Sequence, residues 1–226
     1  MLISALVPTA EPRFDGRRVR GDRTHHAILR RAVDIASVDG LEGLTIGRLA
    51  GGLGLSKSGL FAHFGSKEEL QLSTVAAAAA IFADEVVAPV AARAEPGLAR
   101  LVALLDGWCD YLRGDVFAGG CFFIAASAEV DGWPDGPVRD AVAGQMRRWE
   151  RVLTEYAEDA RRRGELAPDI DPAQLAFELD AFGMAMNRAW RLQQDATAFD
   201  RGRCAMRSRL ERDATPAGRA SLAVAA

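Results

Sequence analysis

The chain has few of the residues that most enzymes and metal proteins depend on. Three cysteines and three histidines are spread over 226 residues. Cys109, Cys121 and Cys204 form no C-x-x-C pair and show no metal-ligand spacing, which excludes a disulfide scaffold and a zinc ribbon. They read as small apolar residues in a reducing compartment. His25 and His26 are adjacent, and neighbouring residues on a helix point apart, so they make no metal pair. There is no nucleophile–base pair, no Glu-x-x-His motif and no phosphate loop. No catalytic residue, metal ligand or cofactor is therefore assigned, and an enzyme built on a helical bundle is set aside. No apolar run approaches the roughly 18 residues that a membrane helix needs. Leu2 to Val7 is too short for a signal-peptide core and lacks a basic start. The expectation is a cytoplasmic protein without a membrane partner. Strand-like alternation and internal repeats are also missing, which points to an all-α fold.

What is present begins with apolar residues, 49% of the chain and enough for a sizeable core. The net charge of −3 argues against a nucleic-acid partner. Its distribution reverses that argument. Between Arg13 and Lys67 ten basic residues stand against five acidic ones, and the remainder is strongly acidic. A basic end on an acidic body is the footprint of a protein that meets phosphate at one end.

The stretch from Thr45 to Leu70 gives that end a shape. Thr45 is placed to cap a short helix, its hydroxyl accepting from a backbone N–H that the first turn leaves unpaired. Ile46, Leu49, Ala50 and Leu53 recur at helical spacing. Gly54 stands where the chain must turn, and glycine tolerates positive φ. Ser56 then caps a second short helix, with Leu60 and either Phe61 or Phe64 facing inward. Ser66-Lys67-Glu68-Glu69 has capping-box spacing and opens a longer helix. Helix, glycine turn, helix is the DNA-binding helix-turn-helix pattern, whose second helix enters the major groove.

Thr45-Ile46, Leu49-Ala50, Gly54-Leu55-Ser56, Leu60, His63-Phe64 and Ser66-Lys67-Glu68-Glu69-Leu70 together resemble the DNA-binding signature of the tetracycline-repressor (TetR) family of bacterial transcriptional regulators. The likeness covers roughly Thr24 to Ala80; beyond it only length and helical character match. It implies DNA contacts from Thr45, Arg48, Ser56, Lys57, Ser58, Gly59, Phe61, His63 and Lys67. Two departures stand out. Phe61 replaces the family's usual Tyr and cannot offer a hydroxyl to phosphate. Gly47, Gly51 and Gly52 each cost about 1 kcal/mol relative to Ala within a helix, so this helix should lean on its neighbours. For His63, phosphate contact and packing under the recognition helix are both open. The excess of arginine over lysine, 26 to 2, suits a GC-rich bacterial genome.

Around this core the chain divides into four parts. Residues 1–22 read as a flexible basic tail, either solvated or reaching a minor groove with its arginines. Residues 23–69 form the helix-turn-helix domain, its first helix capped by Thr24, carrying Ile28, Ala32, Ile35 and Ala36 inward and ending at Asp39-Gly40. Residues 70–213 form a larger helical body, and 214–226 a C-terminal tail. The body holds the rest of the helix from Ser66, with its alanine-rich middle and an end at Pro89. It then has helices at about 96–113, 121–128, 137–163, 171–194 and 198–212, about nine helices in all.

The resemblance implies that the body binds a small apolar or amphipathic effector and forms a homodimer. Trp108, Phe122, Phe123, Gln145, Trp149, Phe182, Met186, Asn187 and Trp190 are the effector candidates, with Glu129 a further polar one. Leu175, Leu179, Phe182, Met186 and Leu210, on the last two long helices, are the dimer candidates. The function implied is a ligand-responsive repressor released from a near-palindromic operator. An activator of the same fold and a constitutive DNA-binding protein without effector are the alternatives.

Overall fold

The computed structural model describes residues 16–114 and 116–224. Among them the regular structure is helical, apart from one isolated bridge between Leu166 and Ala214. The head consists of α1 (Gly16–Gly43), α2 (Ile46–Leu53), α3 (Lys57–Phe64) and the start of α4 (Lys67–Phe82). A π-helical turn, Ala83–Val87, joins α4 to α5 (Ala88–Arg93). The body continues through α6 (Leu98–Arg113), α7 (Phe122–Val130), α8 (Pro137–Arg162), α9 (Pro172–Arg191), α10 (Ala198–Asp213) and α11 (Pro216–Val224).

Local chemistry placed most boundaries in the head and body. Thr45, Ser56 and Ser66 accept backbone N–H bonds from Arg48, Gly59 and Glu69 at 3.1, 3.1 and 3.0 Å. Gly54 closes α2 in the left-handed region at φ +64°. Asp171 caps α9 by accepting from Ala173 and Gln174. Ile28, Ala32, Val33, Leu41, Leu44, Leu49, Leu60, Phe64 and Leu70 are buried and form the core of the head. Of the two phenylalanines on α3, Phe64 is the inward one.

Four expectations are corrected. The first helix starts at Gly16, so residues 16–22 are helix and Thr24 lies inside α1 instead of capping it. Arginine is a good helix former and no proline interrupts the run. The expected flexibility of residues 1–15 lies outside the described residues. Residues 216–224 form α11 where a tail was expected. Thr215 Oγ1 accepts from the Gly218 N–H at 3.2 Å, Pro216 suits a first turn, and Leu222 is buried. Pro89 does not end the long helix. The π turn widens the hydrogen-bond register just before it, with the Ala88 N–H reaching back to the Ala83 carbonyl. The chain stays helical to Arg93. Finally, Lys67–Arg93 is long and apolar enough by composition to cross a membrane, contrary to expectation. Its hydropathy comes largely from alanine and valine, Asp84 and Glu85 interrupt it, and it packs against α1 and α8 as a scaffold rod.

Head and body meet where α1 packs on α7 and on α4. Gly119, just before α7, donates its N–H to Ser37 Oγ at 3.0 Å. A Cβ at Gly119 would stand 1.7 Å from the Ser37 carbonyl oxygen, closer than any real contact. Gly119→Ala should therefore destabilise the protein by at least the 1–3 kcal/mol typical of overpacking, about that range or above, because the obstacle is backbone. Gly144→Ala, in α8 with nothing near its Cβ position, should instead stabilise by about 1 kcal/mol or less. Urea unfolding of the two variants checks both signs.

Candidate DNA-contacting face and ligand cavity

The face that carries α3 is built from caps and an open glycine surface. Ser56, Lys57, Ser58, Gly59, Phe61 and His63 are all exposed, as is Thr45. Ser56 and Ser58 hydroxyls lie 3.3 Å apart at the helix start. The stem of Lys57 crosses α2 at Gly47, where a Cβ would stand 3.3 Å from Lys57 Cε. The helix-weakening glycine thus makes room for the lysine, whose ammonium has no ion-pair partner among the described residues. Phe61 keeps 55% of its surface exposed, an apolar ring on the outer face of α3. His63 is exposed instead of packed beneath the helix, and His25 stacks on Phe64 at 5.7 Å.

Two of the expected DNA contacts are already engaged. Arg48 pairs with Asp39 at 2.7 Å. Lys67 donates to the Glu42 carbonyl at 2.8 Å and to its carboxylate at 2.7 Å, which ties the start of α4 to the end of α1. An exposed pair is worth about 0–1 kcal/mol, so Arg48 can exchange Asp39 for phosphate at small cost. Lys67 gives up two bonds to do so.

The body encloses a cavity of about 400 Å³ between α4, the π turn, α7, α8 and α9. Ala76, Ala79, Ala80, Ala83 and Val87 form one helical stripe that walls one side. Trp108, Phe123, Gln145 and Trp149, all expected as effector contacts, line it. Trp108 and Trp149 lie 4.9 Å apart, and Phe82 meets the edge of Trp149 at 5.2 Å. Gly183 on α9 is the notch for Trp108, since a Cβ there would stand 2.0 Å from its ring.

The other expected effector contacts lie elsewhere. Phe122 is in the core and supports Phe123 edge-on at 5.1 Å. Phe182 and Met186 border a groove between α9 and α10. Trp190 packs on Phe199 at 5.4 Å. Asn187 is buried with its Oδ1 unpartnered among the described residues, but it does not line this cavity. Glu129 accepts the Leu41 and Glu42 N–H groups, both at 2.7 Å, and belongs to the joint with the head. Aromatic and polar residues at helical spacing looked alike along the chain; only packing sorts core from lining.

Sequence reasoning missed Asp180. It lines the cavity from α9 and accepts the Trp149 indole N–H at 3.0 Å. Burial raises its carboxyl above the usual carboxylate range, Glu150 adds to this, and the indole bond opposes it. One acid on an otherwise apolar helical face was the available signal. Cys121 also borders the cavity, and burial pushes its thiol up to about 11, so it is a neutral apolar group there.

The dimer candidates need a similar correction. Leu175, Leu179, Met186 and Leu210 are buried within the single chain, where α9 packs on α8 and α10. Their spacing reflects packing that the monomer already satisfies. Phe182 is half-buried. The apolar positions left outward on α9 are Phe177, 66% exposed, with Ala181 and Ala185 at the following turns.

Residues 28–74 match the family described as bacterial regulatory proteins, tetR family, and residues 97–206 match the tetracyclin repressor-like C-terminal domain. No curated protein sequence matches the chain. Solved structures with the same fold include a TetR transcriptional regulator from Chloroflexus aurantiacus (TM-score 0.79, 23% identity, 87% of this chain and 98% of that one). Another is a TetR-family regulator from Cytophaga hutchinsonii (0.77, 19%, 87% and 97%). A third is AibR in complex with isovaleryl coenzyme A and operator DNA (0.62, 22%, 80% and 95%).

Asp180 yields a stability test. Its folded-state pKa is raised above the ordinary value of 3.8, so the unfolded chain ionises first as pH rises. The folded state therefore carries no penalty well below 3.8, loses stability as pH climbs through that value, and keeps the full penalty above the folded pKa. Asp180→Asn should be more stable than wild type at pH 7, with the gain shrinking toward pH 4. Denaturant unfolding at the two pH values measures it; a wild type favoured at pH 7 would reverse the sign.

Proposed function

The chain belongs to the tetracycline-repressor family of bacterial regulatory proteins, and on that premise we propose that it is a ligand-responsive, sequence-specific transcriptional repressor of the cytoplasm, released from operator DNA by a small effector. The observation that carries the reading is that the cavity and the head share two elements. α4 lines the cavity with Ala76, Ala79 and Ala80 and holds the head through Lys67 and Gln71. α7 lines it with Phe123 and Ile124 and holds the head through Glu129. A ligand that moves either wall acts on the orientation of α3. By linkage, ligand and DNA then oppose each other's binding by the same factor.

The α3 face supplies the DNA contacts. The hydroxyls of Thr45, Ser56 and Ser58, the Gly59 amide, Lys57, His63 and, on exchange, Arg48 and Lys67 meet phosphate or base edges. Phe61 replaces a polar contact with an apolar one, the kind that suits a thymine methyl. Two heads related by two-fold symmetry fit successive major grooves of a near-palindromic operator. The AibR complex with operator DNA supports this mode of action for the fold.

The DNA reading is tested with an inverted repeat selected by the wild-type protein from random duplexes. Lys57→Ala should weaken binding to all sequences similarly and reduce the slope of log K against log salt by about one. An unchanged slope, or an effect confined to one base pair, refutes the phosphate assignment.

Assembly is tested separately. The outward stripe Phe177, Ala181, Ala185 needs a partner, and a second copy meeting it through α9 and α10 gives a homodimer. Phe177→Glu would place an unpaired charge in that contact. It should raise the dimer dissociation constant about a hundredfold, roughly 2.7 kcal/mol, with the monomer still folded. Sedimentation at micromolar concentration reads the outcome, and a monomeric wild type refutes the dimer.

A further inference from the structure

The cavity contains a carboxylate that pairs with no cation among the described residues. Asp180 has one hydrogen-bond donor, the Trp149 indole, and forms no ion pair among the described residues. The rest of the lining is mostly apolar or aromatic: four alanines, Val87, Ile124, Met146, Val152, Met184, and the rings of Phe82, Trp108, Phe123 and Trp149. The other charged lining residue, Arg148, is exposed, so water and salt screen it. Gln145 is the one neutral polar side chain with an amide.

These features favour one sign of charge. A half-buried carboxylate is poorly hydrated, so an incoming cation replaces less water there than at a surface site. Two indoles, their centroids 4.9 Å apart, line the same space, and cations bind indole rings more strongly once desolvated. An anion would meet the Asp180 charge and the ring faces unfavourably. The apolar wall requires the remainder of the molecule to be hydrocarbon-like. The volume lies near the lower end of the range for small-molecule sites, about 300–1,000 Å³.

Building on the effector-controlled reading above, we propose that the effector is an organic cation, an amine or quaternary ammonium on an apolar body, with its charged nitrogen at Asp180 beside Trp108 and Trp149. Trp149 has two roles: its N–H fixes the carboxylate and its ring faces the ligand. Asp180 is thus the residue that determines ligand charge specificity.

The test measures ligand binding to the full chain without DNA, so that it stands apart from repression. Three probes share one body and differ in head charge: 4-phenylbutylamine, 4-phenylbutanol and 4-phenylbutyrate. Calorimetry at pH 7 should rank amine over alcohol over carboxylate, the amine at least about tenfold tighter than the alcohol, the factor expected of a desolvated cation site. Asp180→Asn keeps the side chain's shape and an acceptor for Trp149. It should equalise amine and alcohol, the amine losing its advantage of about tenfold. Trp149→Phe, which keeps a ring but loses the N–H, should reduce the amine's advantage without abolishing binding. A wild type that treats amine and alcohol alike, or prefers the carboxylate, overturns the cation and leaves an effector cavity standing. An unchanged amine preference in Asp180→Asn overturns the role of Asp180. If none of the three binds, the cation falls and the effector cavity falls with it.

Discussion

One carboxylate on α7 sets how the head sits on the body. Gly40 leaves the helix at φ +75° and ψ 170°, which strands the N–H groups of Leu41 and Glu42. Glu129 accepts both at 2.7 Å from a position 87 and 88 residues away. Gly40 is required twice here, by its φ and because a Cβ would stand 2.6 Å from the Glu129 carboxylate. The opposite side of the same short turn belongs to α4. Gln71 Nε2 donates to the Leu41 carbonyl at 2.8 Å, and Lys67 donates to the Glu42 carbonyl. The segment that leads directly into α2 is therefore gripped by two elements, both of which also wall the cavity. The head has little freedom to reorient unless one of them moves.

Why α4 serves as a cavity wall follows from its composition. Alanine is the strongest helix former and, glycine apart, leaves the most room beside the backbone. The residues at positions 76, 79, 80, 83 and 87 fall on one stripe, so a run that reads along the sequence as a featureless spacer becomes a cavity wall of small side chains in three dimensions. The π turn lies within that stripe. It keeps Ala83 and Val87 on the cavity side while the register widens ahead of Pro89. Such turns recur at functional sites because they allow a local change of helical phase without ending the helix.

What was legible in the sequence was local. Thr45, Ser56, Ser66 and Asp171 cap the helices that follow them because a cap needs only a side chain and a backbone N–H two or three residues on. The α2–α3 turn was readable for the same reason, Gly54 being the residue that adopts its left-handed conformation. Three of the four lining rings, Trp108, Phe123 and Trp149, were named, but beside Phe122, Phe182 and Trp190, which differ from them only in what packs opposite. Leu175, Leu179, Met186 and Leu210 show the same limit: apolar periodicity reports that a face is buried and not by which chain. Glu129 was legible as a polar residue on an apolar helix, yet its partners lie nearly ninety residues away, and no local pattern encodes that distance.

Three departures from ideal local structure gather at one place, while a fourth, the unpartnered Asn187 Oδ1, lies apart from it on α9. The Tyr111 hydroxyl is buried beside the Cys121 thiol, a weak hydrogen-bonding partner, and its ring meets the edge of Phe82, which in turn meets Trp149. Asp180 is held against its preference for water by a single indole bond. The π turn begins one residue after Phe82. All three border or back the same cavity, whereas the α9–α10 contact is held by Arg209, which pairs with Glu178 on α9 and Asp213 on α10. Sequences tend to break local rules where function demands it. The stability forgone at Asp180, Tyr111 and the π turn therefore locates the working part of the body independently of the cavity's shape. Under the cation proposal, a ligand paired with Asp180 would remove a cost carried on α8 and α9, and α8 packs against both helices that hold the head.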